Sequence, residues 1–115
     1  MFLGTLSPVS NRADWIDAYQ LLDEETNDPI DIADATAITI EVRDPKTRSI
    51  VLTGSLSSGE IERIETGTFQ WHFTADRMRL LRPQDYEIGC TIVKDGITSQ
   101  LLIGTLPVMD GISSQ

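Results

Sequence analysis

The chain has 115 residues, 40% apolar and 23% charged, the make-up of one globular domain long enough to bury a core without disulfides or metals. Its 18 acidic and 9 basic residues give a net charge of −9, which argues against nucleic acid as a partner, since phosphates need Lys and Arg, and against an anionic membrane surface. Cys90 is the single cysteine, so an intramolecular disulfide is excluded, and no window approaches the ~20 apolar residues that span a bilayer.

The N-terminal residues Met1-Phe2-Leu3-Gly4-Thr5 contain neither a basic segment nor a long apolar one, so no signal peptide and a soluble cytosolic product are expected. Residues 1–13 lack periodicity and read as an extended arm, ordered only where something holds it. From Trp15 to Leu22 the pattern fits two forms. Trp15, Tyr19 and Leu21 share one strand parity, while Trp15, Ala18, Tyr19 and Leu22 form a helical stripe. A strand agrees better with the short, turn-bounded segments that follow. A polar turn at 24–28 runs into Pro29, which excludes a helix through it, and Pro29-Ile30-Asp31-Ile32 is a short extended piece.

Two alternating runs then organise the chain. Ile38, Ile40 and Val42 occupy every second position, and so do Phe69, Trp71 and Phe73, which places three large apolar groups on one face of each strand. Asp44-Pro45 suits the first two positions of a type I turn. A strand is expected over residues 49–56, with Ile50 and Leu52 on one parity, and Thr66-Gly67 leads into the aromatic strand. The one helix expected is Ala75 to Leu81, with Thr74 as N-cap, Asp76 in the first turn, Pro83 as stop, and Met78 and Leu81 packing inward. Tyr86 to Lys94 and Ile97 to Leu106 are strands joined by Asp95-Gly96, a strong hairpin signal, and Pro107 ends regular pairing or sits at an edge. Short strands at spacings of about ten residues indicate an antiparallel sandwich or barrel. Its core is expected to include Ile38, Ile40, Val42, Leu52, Phe69, Trp71, Phe73, Tyr86, Ile88 and Ile92.

No catalytic, cofactor-binding or metal site follows from these residues. His72 is the only histidine and alternates outward, and no serine or cysteine motif supplies a nucleophile. Cys90 lies on the inward parity of Tyr86, Ile88 and Ile92 and reads as a small buried hydrophobe. Asp28, Asp31 and Asp34 offer hard oxygen ligands but not the spacing of a calcium loop, so turn capping is expected. Glu60, Glu62 and Glu65 read as a solvated edge. Trp15 and Trp71 would make a sugar-stacking platform only if exposed together. The chain is therefore expected not to be an enzyme and to need no cofactor. The rival within catalysis is an acid-base hydrolase using paired carboxylates such as Asp28 and Asp31.

In their order, these segments resemble the small immunoglobulin-like domains of phage and prophage tails, in particular the N-terminal domain of phage baseplate upper proteins. Pro29-Ile30-Asp31-Ile32 stands where the family has a Pro-x-Asp-Leu-Thr-like piece, and Ile38 to Pro45 is similar to its strand with an Asp-Pro-type turn. Gly67 to Asp76 matches a Gly-led strand followed by a threonine and a helical turn. Gln84-Asp85-Tyr86-Glu87 keeps the family's tyrosine without its glycine, and Asp95-Gly96 and Gly104-Thr105-Leu106 match the final hairpin. The resemblance covers residues 15–109. It implies an immunoglobulin-like antiparallel β-sandwich with one short helix over residues 14–109, between the arm 1–13 and a tail 110–115. It also implies a non-enzymatic tail, baseplate or head-tail component of a virion, made in the bacterial host cytoplasm. Such a part would act as a homo-oligomer, for example a ring, with itself and other phage structural proteins. Phe2, Leu3, Val108, Met109 and Ile112 in the terminal segments would dock on a neighbour or close over their own sandwich. The alternative outside the virion is a glycan- or peptide-binding β-sandwich module.

Overall fold

The computed structural model describes residues 2–23 and 25–110. The strands are β1 (Phe2–Thr5), β2 (Val9–Ser10), β3 (Trp15–Gln20), β4 (Ala37–Arg43), β5 (Ile50–Ser55), β6 (Ile61–Glu65), β7 (Thr68–Phe73), β8 (Gln84–Lys94) and β9 (Ile97–Met109), with the helix α1 (Ala75–Met78) between β7 and β8. The larger sheet runs β1-β9-β8-β4-β5, with β2 also on β9, and the smaller runs β3-β7-β6. The orders β3-β7-β6 and β9-β8-β4-β5 are those of strands B-E-D and G-F-C-C′ of an immunoglobulin sandwich. Tyr86, at the start of β8, donates its hydroxyl proton to the Arg82 carbonyl at 3.0 Å, the corner contact known from such sandwiches.

The core forms where the alternating runs place it. Ile38, Ile40, Val42 and Leu52 of the large sheet join Phe69, Trp71 and Phe73 of the small one in a single buried cluster, together with Tyr86, Ile88, Cys90 and Ile92. Every expected core residue is buried. Trp15 meets Trp71 edge-to-face and stacks on Phe73, both at 5.6 Å between ring centres. Each such pair adds ~0.5–1.5 kcal/mol to the burial of its rings. The segment from Trp15 is thus a strand, with its first aromatic inside.

Four expectations change in detail. Ile50, expected inward, is 55% exposed. Arg43 pairs with Ile50 while Val42 pairs with Leu52, so Val51 is an extra residue, and this bulge turns Ile50 to the outer face. The helix ends at Met78 rather than Leu81, because Leu80 N–H bonds Arg77 O and Leu81 N–H bonds Met78 O, a tighter last turn that still buries Met78 and Leu81. The final strand continues through Pro107 to Met109. Leu6 N–H bonds Thr105 O and Asn11 N–H bonds Met109 O, so by alternation the nitrogen of Pro107 faces the break between β1 and β2, where no N–H is required. Lastly, the segment 1–13 read as an arm contains β1 and β2, both parallel to β9, so the sandwich begins at Phe2 and not at residue 14. The expected tail reaches the described part of the structure only at Asp110; residues 111–115 lie outside it.

Candidate functional site

His72 projects from β7 and its Nε2 lies 2.7 Å from Oδ2 of Asp14. The β3–β7 register sets Trp15 opposite Phe73, which brings Asp14, one residue earlier, beside the start of α1. There its other oxygen accepts the Ala75 N–H at 2.7 Å, the cap that the Thr74 side chain does not supply. The His72 bond, then the Ala75 N–H, hold the Asp14 carboxyl below its ordinary range. The histidine thus has the orienting carboxylate that its neighbours in sequence lack. The Ser58 hydroxyl, on the rim of the same cleft of about 310 Å³, is held by Glu60 Oε1 and by Ser55. With that hydroxyl engaged by a carboxylate, His72 and Ser58 are not arranged as base and nucleophile.

Glu60 is not part of a solvated edge, unlike the exposed Glu62 and Glu65. It pairs with Arg77 at 3.0 Å and accepts the Ser55 N–H at 3.2 Å. Burial pushes its carboxyl up, but the bonds from Ser58, Ser55 and its own N–H, with the Arg77 charge, outweigh this and hold it low. Arg77 also donates to the Thr53 carbonyl at 2.8 Å and lies 5.2 Å from the centre of the Phe73 ring. Together these side chains cover two backbone groups of β5, the last strand of its sheet, and tie the two sheets at that end.

The remaining residues singled out in sequence take up turn and core positions. Asp31 caps the Ala33 N–H at 2.9 Å, and the Asp28 N–H bonds Thr26 Oγ1 at 3.3 Å, both turn contacts. Among the described residues no group of three His, Cys, Asp or Glu side chains converges to hold a metal ion. Cys90 is buried, and burial pushes its thiol up to about 12, so it stays protonated at neutral pH. Trp15 and Trp71 are both buried and do not form an exposed stacking platform.

A concavity of about 570 Å³ lies on the outer face of the large sheet. Two rows of side chains cross it through the strand registers. One row is Leu3, Ile103, Gly89, Glu41 and Thr53; the next is Thr5, Thr105, Glu87, Arg43 and Ile50. Gly89, with no side chain, and the Gln100 amide, held on the Cys90 and Leu102 carbonyls, form the floor. Leu3, Ile50 and Ile103 are 64%, 55% and 49% exposed, so apolar groups flank the centre on both sides. Arg43 and Arg48 both reach Glu87 Oε1, at 3.2 and 3.9 Å, while Glu41 makes no ion pair among the described residues. Sequence reasoning missed this surface. Its one local signal is the run Leu101-Leu102-Ile103, which breaks the alternation, because a register shift between Cys90 and Thr91 inserts a residue opposite β8. Comparison of the chain with known protein families and with curated proteins found no match.

Proposed function

We propose that the chain is a non-enzymatic structural or assembly part of a phage or prophage virion, in the tail, baseplate or head-tail region, acting through protein–protein contacts. The observation that carries this reading is the outer face of the large sheet. It is five strands wide, holds three exposed aliphatic side chains and a balanced set of charges, and presents a broad concavity to a partner. The resemblance to small immunoglobulin-like tail domains supports it from the sequence side. Burial of both tryptophans speaks against a glycan module, whose sugars need aromatic faces in water. Mass spectrometry of purified particles and assembly intermediates from a producing host tests the reading, and a fixed copy number is expected. Absence from both fractions overturns it, and selective thermal stabilisation by a saccharide would favour the glycan-binding alternative.

A further inference from the structure

We infer that the outer face of the large sheet docks a second copy of this chain, about a two-fold axis that lies across the strands midway between the two rows. The inference rests on the assembly reading above and gives it a surface and a register.

Rotation about that axis lays each row on the other row of the second copy, as in any isologous contact. The pairs that result match in size. Leu3 faces Thr5, Ile103 faces Thr105, and Ile50 faces Thr53, so each exposed aliphatic side chain meets a shorter one with a methyl group. Glu87 faces Gly89, which carries no side chain, beside the Gln100 amide that packs over it. The pairs also match in charge, because Glu41 faces Arg43 of the second copy, twice by symmetry. Glu41 has no cation of its own among the described residues, whereas Arg43 and Arg48 share the single carboxylate of Glu87. Arg43 is the one hydrogen-bonded to Glu87, and with Arg48 at 3.9 Å to hold that carboxylate its guanidinium can turn to Glu41 of the second copy.

The same geometry rejects its neighbours. An axis lying on the first row sets Glu41 against Glu41, and one on the second sets Arg43 against Arg43 and Glu87 against Glu87, all like-charge contacts. Overall charge selects this face as well. Its lining carries Glu41 and Glu87 against Arg43 and Arg48 and is neutral, so the net −9 of the chain falls on the rest of the molecule. That net negative charge opposes the approach of two copies through the rest of the surface.

Light scattering of the full chain at its highest soluble concentration is expected to give twice the monomer mass of 12.8 kDa. Glu41→Arg alone and Arg43→Glu alone each create like-charge pairs, and each is expected to halve that mass. An equimolar mixture of the two variants restores opposite charges at both contacts and is expected to recover the dimer. Thr105→Arg, which fills the space under Ile103 of the second copy, is a further splitting variant that leaves the charge pair intact. Unchanged circular dichroism confirms that the variants are folded. A monomeric full chain overturns the inference, and so does a dimer indifferent to these substitutions or a mixture that stays monomeric. A monomer still found in particles overturns this face and leaves the assembly reading standing. The charge-dependent dimer found in no particle or intermediate upholds the face and overturns that reading.

Discussion

Trp71 and Asp14 show two kinds of residue, one whose place could be read from its neighbours and one whose place could not. Trp71 alternates with Phe69 and Phe73, and the sheet period alone puts it inside, where it is 2% exposed. Truncating Trp71 to Ala is expected to cost ~3–5 kcal/mol through lost burial and a cavity, read from urea unfolding. Asp14 looks like a loop acid in sequence, because both its partners, His72 and Ala75, lie some sixty residues on and meet it only through the β3–β7 register. Its carboxyl is held below its ordinary value of 3.8 in the folded chain. A depressed value means stability that is full above 3.8 and lost as pH falls through the folded value. Asp14→Asn should therefore lower the melting temperature at pH 7, and the gap from the parent should close as the pH drops below 3.8. Melts across that range at low protein concentration check both statements, and a constant gap would contradict them.

At the scale of elements, strand existence was legible and strand register was not. Period-two alternation marks Ala37–Arg43 and Thr68–Phe73 with no ambiguity, and Asp95-Gly96 marks its hairpin, where positive φ at both residues (54° and 74°) suits the two-residue turn. Bulges leave no such mark. The extra residue at Val51 reverses the face of Ile50, and the surface described above depends on that reversal. Parallel pairing of β1 and β2 with β9 was equally hidden, because its partners lie about a hundred residues apart and neither short strand alternates. Two tests belong here. A Cβ at Gly54 on β5 would lie 2.9 Å from the Phe73 ring on the facing sheet, so Gly54→Ala is expected to destabilise by the ~1–3 kcal/mol of an overpacked core, measured by denaturant titration. Removing residues 1–13 uncovers the edge of β9 and is expected to lower the melting temperature and raise aggregation, followed by scanning calorimetry and light scattering. A trimmed chain as stable and disperse as the parent would show that β1 and β2 contribute nothing.

For the whole molecule, composition and core pattern were sufficient for the architecture, an all-β sandwich with one short helix, since 115 residues with strands this short have few other ways to bury three large groups per strand. Candidate surfaces were less legible, because a face is assembled from five strands and each contributes only one or two side chains to it. Net charge acts at this scale too. With an isoelectric point near 4.3, solubility is expected to fall to a minimum around that pH and recover on either side, which a turbidity scan will show.

Pairing of the first strand with the last has a consequence for biosynthesis. Phe2 to Thr5 are made about a hundred residues before their partners Leu102 to Thr105. Until then β1 has nothing to pair with, and the exposed edge of β9 does not yet exist. At ~5–20 residues per second the N-terminal strand waits several seconds, unpaired, while the hairpin of β8 and β9 is completed. Closure of the larger sheet thus has to wait for β9, and the long separation makes it a slow step. A nascent chain stalled before residue 102 should leave its first strand open to protease, whereas the released protein should not.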